Sequence, residues 1–378
     1  MERAYWLAWS QMPGVGSVIC KRIAEHFPTM AAAWAASGRE LQQVEGIGNQ
    51  NLSKILQERQ KIDPRELYAS HLQDNPDFWT PADPNYPKLL WEIPDPPAVL
   101  YYRGNVTQWN ERYTVAIVGT RQYTPYGKRW TEKISAALAQ AGFVVVSGMA
   151  DGIDGVAHGA CLGVGGATLA VLGTGVDRIY PHKHTQLYRD IIKNGLVLSE
   201  YPKGTEPSRS QFPQRNRIIA GLCRFVLVME AGQPSGALIT AYRANDYGRD
   251  VMALPNSLDV AQARGCLNLI AKGAQPILGV DELLAAVDAP KLSAKNESMG
   301  TDGNAQQQLN LILDLGTLEP LQQKIMQHLS FSEGTTFDQL MEKLQLPAGD
   351  VMSGLLQLEL QQYIEQEPIG SLRYQRLR

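Results

Sequence analysis

The 378-residue sequence has few cysteines, no long apolar run and no excess of basic charge. None of its four cysteines (Cys20, Cys161, Cys223 and Cys266) belongs to a CxxC pair, which excludes the common zinc motifs and a disulfide framework. No apolar segment reaches the ~18 residues of a membrane helix, and the N-terminus lacks the pattern of a signal peptide. These features predict a soluble cytoplasmic protein with reduced thiols and no membrane insertion.

The charge balance excludes nucleic-acid binding through general positive charge. The chain carries 35 basic and 38 acidic residues, a net charge of −3, so any phosphate site must be local. The sequence contains no GxxxxGK[ST] motif, which excludes a P-loop ATPase at the level of motifs. With 44% hydrophobic residues, the chain is typical of globular proteins, and its length predicts two or three domains.

Residues 1–80 are predicted to form a helical domain with an internal repeat. Gly14-Val15-Gly16 and Gly46-Ile47-Gly48 lie 32 residues apart, and each precedes apolar residues at helical spacing. This pattern resembles a tandem helix-hairpin-helix, or SAM-like, domain, whose turns bind DNA phosphates through backbone amides. With 8 basic and 9 acidic residues in the segment, a small helical bundle remains an equal alternative, and we predict no DNA contact here.

Residues 81–290 are predicted to form an α/β domain. A proline-rich connector occupies 81–97, and short apolar runs then alternate with helical patterns, which predicts a Rossmann-like, doubly wound, mostly parallel sheet. Ligands of such sheets bind at the carboxyl ends of the strands. The predicted strands are 115–118, 143–146, 168–172, 196–198, 225–229 and 251–254.

The C-terminal part divides into a polar linker at 291–315 and a small domain at 316–378. The domain pattern, three helices followed by a hairpin, resembles a winged helix. Its 5 basic and 8 acidic residues disfavour phosphate binding. We therefore predict a protein-contact role, and a sequence-specific duplex-DNA regulator is the alternative.

Two predicted strand ends carry groups suited to an anion. Arg121 follows the first strand, and arginine forms bidentate contacts with phosphate. The second strand leads through a glycine-rich turn into a helix, whose amides favour negative charge. The predicted DNA contacts at these two strand ends are Gly119, Thr120, Arg121, Ser147, Gly148 and Gly152.

Four arginines and one acid, Glu206, lie between positions 205 and 225, with an aromatic ring among them. This composition is typical of a single-stranded nucleic-acid site, where charge follows the backbone and a ring stacks on a base. The predicted contacts in this segment are Arg209, Phe212, Arg215, Asn216 and Arg217. The alternative is structural: Phe212 belongs to the core, and Arg215 or Arg217 pairs with Glu200 or Glu230.

A nucleotide-binding Rossmann-like enzyme, similar to phosphoribohydrolases, is the second functional hypothesis. Its acid–base candidates are Asp154, His158 and Glu230. Asp154 and His158 are four residues apart and share a predicted helix face. Because no third ligand, nucleophile or paired-carboxylate motif accompanies them, we favour a structural hydrogen bond. We predict no catalytic residue, metal or cofactor.

The ordered motifs closely resemble the bacterial DNA-processing protein A family, called DprA or Smf. They are IVGTR at 117–121, SGMADGID at 147–154, SEYP at 199–202, FPQRNRIIAGL at 212–222, EA at 230–231 and SGALITA at 235–241. The resemblance implies a homodimeric recombination mediator that binds single-stranded DNA, protects it during natural transformation and helps to load the RecA recombinase. It implies a DNA pocket containing Arg121, Arg209 and Phe212. Leu254-Pro255-Asn256 and the residues around Gly265 depart from the family pattern, which leaves the role of the 255–268 loop open.

Overall fold

The computed structural model describes residues 1–105, 109–287, 320–327, 335–344, 346–360, 364–366 and 373–376. The chain divides into two units, Met1–Ala294 and Lys295–Arg378. The predicted linker at 291–315 lies outside the described residues, and the predicted boundary at residue 80 falls inside the first unit.

The first unit contains the predicted mostly parallel sheet. Its strands are β1 (Phe78–Trp79), β2 (Leu100–Gly104), β3 (Thr114–Val118), β4 (Val144–Ser147), β5 (Thr168–Leu172), β6 (Leu196–Ser199), β7 (Phe225–Val228), β8 (Asp250–Ala253) and β9 (Gln275–Pro276). Their order is β1-β2-β6-β5-β4-β3-β7-β8-β9. The pairs β1–β2 and β2–β6 are antiparallel, and the other pairs are parallel. All six predicted strands are confirmed, while the two-residue strands β1 and β9 were not predicted.

Helices cover both faces of this sheet, which explains the continuous apolar strands. Along β3, Val115 and Ile117 belong to one core and Ala116 and Val118 to the other, because successive side chains of a strand point to opposite faces. The helices of the sheet domain are α7 (Lys88–Glu92), α8 (Pro125–Gln140), α9 (Ile153–Gly163), α10 (Thr185–Asn194), α11 (Gln211–Gly221), α12 (Gly236–Asp246), α13 (Arg264–Ala271) and α14 (Val280–Ala286). Short 3₁₀ turns span Trp109–Glu111, His182–His184 and Ala261–Ala263.

Six helices precede the sheet; the first five contribute to a separate apolar core that includes Trp9 and Ile55, and the sixth packs in a smaller cluster with Leu7 and Phe78. They are α1 (Glu2–Ser10), α2 (Ser17–His26), α3 (Met30–Ala35), α4 (Gly38–Leu41), α5 (Asn49–Arg59) and α6 (Pro64–Asp74). Gly16 and Gly48 are the N-cap residues of α2 and α5, so the helix starts inferred from the repeat are confirmed.

The two repeats pack against each other in an equivalent way. The turn glycine of the first repeat, Gly14, lies next to Asn51, five residues after the equivalent Gly46. In the same way, Gly46 lies next to Ile19, five residues after Gly14. The duplicated sequence therefore forms a pair of turns with approximate twofold symmetry.

The second unit contains the three predicted helices and a small sheet. Its helices are α15 (Pro320–Gln327), α16 (Phe337–Leu344) and α17 (Ala348–Leu360), and its strands are β10 (Thr335–Thr336), β11 (Ile364–Gln366) and β12 (Arg373–Arg376). The strand order β10-β12-β11 adds β10 to the predicted hairpin. Buried Ile325, Leu340 and Leu355 hold the helices together, as in a winged helix.

Candidate functional site

A cleft opens at the carboxyl ends of β3, β4 and β5. The switch point of the sheet lies between β3 and β7: from β3 the chain continues outward through β4, β5 and β6 on one side, and then through β7, β8 and β9 on the other. Doubly wound sheets bind ligands beside such a switch point. The cleft is lined by Arg121, Gly148, Ala150, Asp151, Leu172, Gly173, Thr174, Tyr180, Pro181, Phe212 and Arg215.

Three of these side chains form a charged aromatic group. The guanidinium carbon of Arg121 lies 5.9 Å from the centre of the Phe212 ring, within the range of a cation–π contact. The Tyr180 ring lies on Phe212 with centroids 5.5 Å apart and planes inclined by 31°. Arg121 is exposed and Phe212 is half-buried, so both remain accessible to a ligand.

Arg121 is held in place through the backbone of the preceding residue, Thr120. The amide of Thr120 donates a 2.7 Å hydrogen bond to the carbonyl oxygen of Glu230, and the Thr120 carbonyl accepts a 3.1 Å bond from the Ile153 amide. Gly152 makes this approach possible: its φ is +88°, and an added Cβ would lie 2.2 Å from the Thr120 oxygen. The turns after β3 and β4 are therefore packed backbone to backbone.

Phe212 occupies the first turn of α11, where Gly173 gives its ring space. A Cβ at Gly173 would lie 2.9 Å from the ring. The Gly-x-Gly at 173–175 therefore admits an aromatic side chain of the protein itself. Because the helix begins at Gln211, Phe212 projects from a rigid element and not from the preceding loop.

Arg215 lies under the cleft and is buried. Its guanidinium donates a 2.7 Å hydrogen bond to the Gly148 carbonyl and a second bond to the Val171 carbonyl, and so joins α11 to the ends of β4 and β5. Burial lowers the pKa of Arg215 to about 10 against the opposing effect of Asp154, and neighbouring Arg121 lowers it further. Burial likewise raises the pKa of Asp154 against the effect of Arg215.

Not all predicted contacts line the cleft. Arg217 is buried elsewhere, between Glu200 and Asp95. Asn216 donates a 3.2 Å bond to the carbonyl of Gly236, and the hydroxyl of buried Ser147 donates a 2.6 Å bond to the Ile117 carbonyl. The structural alternative weighed for the arginines therefore describes the observed contacts of Arg217.

Arg209 lies in an exposed loop between β6 and α11. This loop is connected to the segment after β5, because the Gly175 amide donates a 3.0 Å bond to the Thr205 carbonyl. Arg178 forms an ion pair of 3.3 Å with Glu206 in the same loop. The loop that carries Arg209 is thus fixed to the cleft wall that carries Tyr180.

The acid–base candidates of the enzyme hypothesis are buried and hydrogen-bonded. Asp154 accepts from the amides of Gly148 and Ala150. His158 bonds to the Thr168 hydroxyl at 2.7 Å, and burial lowers the pKa of His158 to about 3. Glu230 is fully buried and accepts a 2.8 Å bond from the Thr124 amide. Within the described residues, no group of three or more His, Cys, Asp or Glu side chains is placed to hold a metal.

Sequence reasoning missed two features of the cleft. Tyr180 belongs to none of the motifs that carry the family resemblance, although its position soon after the carboxyl end of β5 is the signal that could have identified it. Asp151, inside a quoted motif, brings a carboxylate to the cleft and forms a 2.8 Å ion pair with Lys183. A lysine thus partly offsets the one acidic side chain that lines the cleft.

Comparisons with known proteins agree on one family. The model of "DNA recombination-mediator protein A" matches residues 77–288, and that of the "DprA winged helix domain" matches residues 314–369. A Synechocystis sp. protein named Smf is 49% identical, with 99% of each chain covered.

No helix within the described residues is long and apolar enough to cross a bilayer.

Solved structures extend the similarity to three dimensions. DNA processing protein A from Streptococcus pneumoniae superposes with a TM-score of 0.65 at 36% identity, covering 75% of this chain and 97% of that one. The Helicobacter pylori protein superposes with a TM-score of 0.51 at 33% identity, covering 56% of this chain and 95% of that one. The Helicobacter pylori structure is described as giving insight into the single-stranded DNA binding mode of that protein.

Proposed function

Because the chain belongs to the DNA recombination-mediator protein A family, also called DprA or Smf, we propose that it binds single-stranded DNA in the cleft beside β3. The observation that carries this proposal is the guanidinium of Arg121, 5.9 Å from the accessible ring of Phe212. A cation beside an aromatic face can bind a phosphate of an unpaired strand while the ring stacks on a base, whatever the sequence.

The predicted residues divide into contacts and supports. Arg121 and Arg209 are exposed and reach phosphates, and Phe212 stacks on a base. Arg215 and the glycines at 119, 148 and 152 hold the two strand-end turns and α11 together, so they act by fixing the positions of Arg121 and Phe212. Thr120, Ser147, Asn216 and Arg217 act through the backbone and the packing around them.

The biological role that we propose follows from this binding. The chain protects incoming single strands and helps to load RecA onto them in natural transformation or recombination, as a cytoplasmic homodimer. It acts by binding and not by catalysis. The burial of Asp154, His158 and Glu230 supports this view, because acid–base catalysis requires groups that reach a substrate. RecA-dependent strand exchange with and without the chain tests the loading step, and light scattering tests the dimer.

Fluorescence anisotropy with labelled oligo-dT, against duplex of equal length, tests the site. We expect tight binding of the single strand, with Phe212→Ala weakening it by about 1–3 kcal/mol per base. Arg121→Ala is expected to weaken binding mainly at low salt. Arg224→Ala is the matched control, since Arg224 is exposed at the amino end of β7, whereas the cleft lies at the carboxyl ends of the strands.

The outcomes separate the hypotheses. Equal affinity of the wild type and both cleft variants would show that the cleft does not bind DNA. Release of free base from nucleoside monophosphates by the purified protein would instead support the phosphoribohydrolase-like alternative. Sequence-specific footprinting of duplex DNA by the full chain would support a regulator that uses the winged helix.

A further inference from the structure

Tyr180 leaves much of an aromatic side chain exposed beside the proposed stacking residue. The residue is 39% exposed, and its ring touches Phe212 at a centroid distance of 5.5 Å. Its hydroxyl makes no hydrogen bond within the part of the chain that the structure describes. An accessible ring with an unused donor, in a cleft that also holds Arg121, has the chemistry of a ligand contact.

The spacing of the two rings decides how a base could use them. A base inserted between two rings needs carbon contacts of about 3.5 Å on each side, and so about 7 Å in total. The 5.5 Å centroid distance between Tyr180 and Phe212 excludes this sandwich in the observed conformation. At this distance and an inclination of 31° the two rings overlap in part, but Tyr180 is exposed and Phe212 is only half-buried, so each ring keeps an uncovered area and the pair forms one bent aromatic surface.

The wall that carries Tyr180 is also fixed relative to the proposed phosphate contacts. The segment after β5 is closed on itself by a 2.8 Å bond from the Thr174 hydroxyl to the Arg178 carbonyl. It is fixed to the neighbouring loop by the 3.0 Å bond between Gly175 and Thr205, four residues before Arg209. An aromatic surface and a phosphate contact are thus carried by connected segments, as binding of several consecutive nucleotides requires.

We propose that Tyr180 and Phe212 bind two consecutive unpaired bases, one on each ring. This inference rests on the proposed single-stranded DNA site and deepens it. Successive bases of a single strand stack on successive aromatic side chains without regard to sequence. Phe212 binds the inner base, close to Arg121, and Tyr180 binds the next base towards solvent. The ligand class is therefore an unpaired strand of at least two nucleotides and not a mononucleotide.

Anisotropy titrations of labelled oligo-dT with the full-length chain test this proposal. Tyr180→Ala is expected to weaken binding about 5- to 150-fold, the effect of losing one stacked base. Tyr180→Phe keeps the ring and should retain wild-type affinity within about threefold. The dependence of affinity on salt concentration should stay unchanged in both variants, because stacking releases no counterions.

Tyr113→Ala is the matched control. Tyr113 is 52% exposed and directly precedes β3, at the amino end of the strand and away from the cleft, so its loss should leave affinity at the wild-type value. Thermal denaturation checks that each variant is folded. Tyr180→Ala binding like the wild type, while Phe212→Ala is impaired, would overturn the two-base proposal and leave the proposed function standing. If neither variant is impaired, the proposed site fails as well.

A double variant separates stacking from support. If each ring binds its own base, the combined variant binds more weakly than either single variant; because the two rings are in contact, the two losses are not expected to multiply strictly. If Tyr180 only positions Phe212, the combined variant binds no more weakly than Phe212→Ala alone. This second result would overturn the proposal, because no base would then lie on Tyr180.

Discussion

Arg217 and Glu200 form an ion pair at a point where three segments of the first unit meet. The Glu200 carboxylate also accepts a 3.3 Å hydrogen bond from the hydroxyl of Ser17, the first residue of α2. On its other side, Arg217 Nε lies 3.6 Å from Asp95. Since the Arg217 side chain is only 9% exposed, the pair connects α11 to the N-terminal helices and does not face the cleft.

Arg217→Gln is therefore expected to affect stability and not the phosphate contacts. Removing one partner leaves the Glu200 carboxylate mostly buried without compensation, which costs about 3–5 kcal/mol of unfolding free energy. Urea denaturation measures this loss. The double variant Arg217→Gln/Glu200→Gln should recover part of it. Wild-type stability together with a weaker salt dependence of oligo-dT binding would instead make Arg217 a phosphate contact.

The two exposed arginines are expected to behave in the opposite way. Each of Arg121→Ala and Arg209→Ala should lower the slope of log affinity against log salt concentration by about 1, because one fewer counterion is released. Neither change should alter the urea midpoint appreciably. Arg224→Ala, at the amino end of β7 and away from the cleft, should leave the slope unchanged. Equal slopes for all variants would mean that phosphates bind elsewhere.

Stability should fall with acidification through His158. Burial lowers the pKa of this histidine from 6.5 to about 3, so between these values the unfolded chain binds a proton that the folded chain does not. The contribution is complete above pH 6.5 and decreases by about 1.4 kcal/mol per pH unit below it. Urea denaturation at several pH values measures this slope.

A His158→Gln variant isolates this effect from other groups. Burial also lowers the pKa of His71, and that contribution is present in both proteins. The variant should therefore show a shallower loss of stability between pH 6.5 and pH 5 than the wild type. Parallel curves for the two proteins would contradict a neutral, buried His158.

The strands could be predicted because burial on both faces requires a continuous apolar run, and such a run is visible in the sequence without knowledge of its packing partners. The helix starts at Gly16 and Gly48 could also be predicted from a local signal, because each glycine pair marks a turn directly before apolar residues at helical spacing. The edge strand β9 has only two residues, Gln275 and Pro276, and both are exposed. No hydrophobic pattern identifies such a strand, because its pairing with β8 alone defines it.

The candidate site was predictable only in part, because residue type does not determine burial. Arg215 and Arg217 are two positions apart in the same arginine-rich segment as Arg209, but α11 buries both against different partners. Tyr180 joins Phe212 only through the path of the loop after β5. The chemistry of the proposed site could therefore be inferred from composition, whereas the proposed division into contacts and supports required the fold.

Gly152→Ala should damage both stability and binding, because this position joins the two strand-end turns. Its φ of +88° disfavours any side chain, and the new Cβ would lie 2.2 Å from the Thr120 carbonyl oxygen. Backbone strain of this kind costs about 1–3 kcal/mol. Relief of the clash must move Thr120 and hence Arg121, so affinity for oligo-dT should fall as well.

Gly159→Ala provides the control within the same helix. A Cβ at Gly159 meets no atom within 4 Å, and the position is helical and exposed. Alanine there should raise the unfolding free energy by about 0.5–1 kcal/mol and leave oligo-dT affinity unchanged. If Gly152→Ala lowered stability but kept wild-type affinity and salt dependence, the position of Arg121 would not depend on the contact between the two turns.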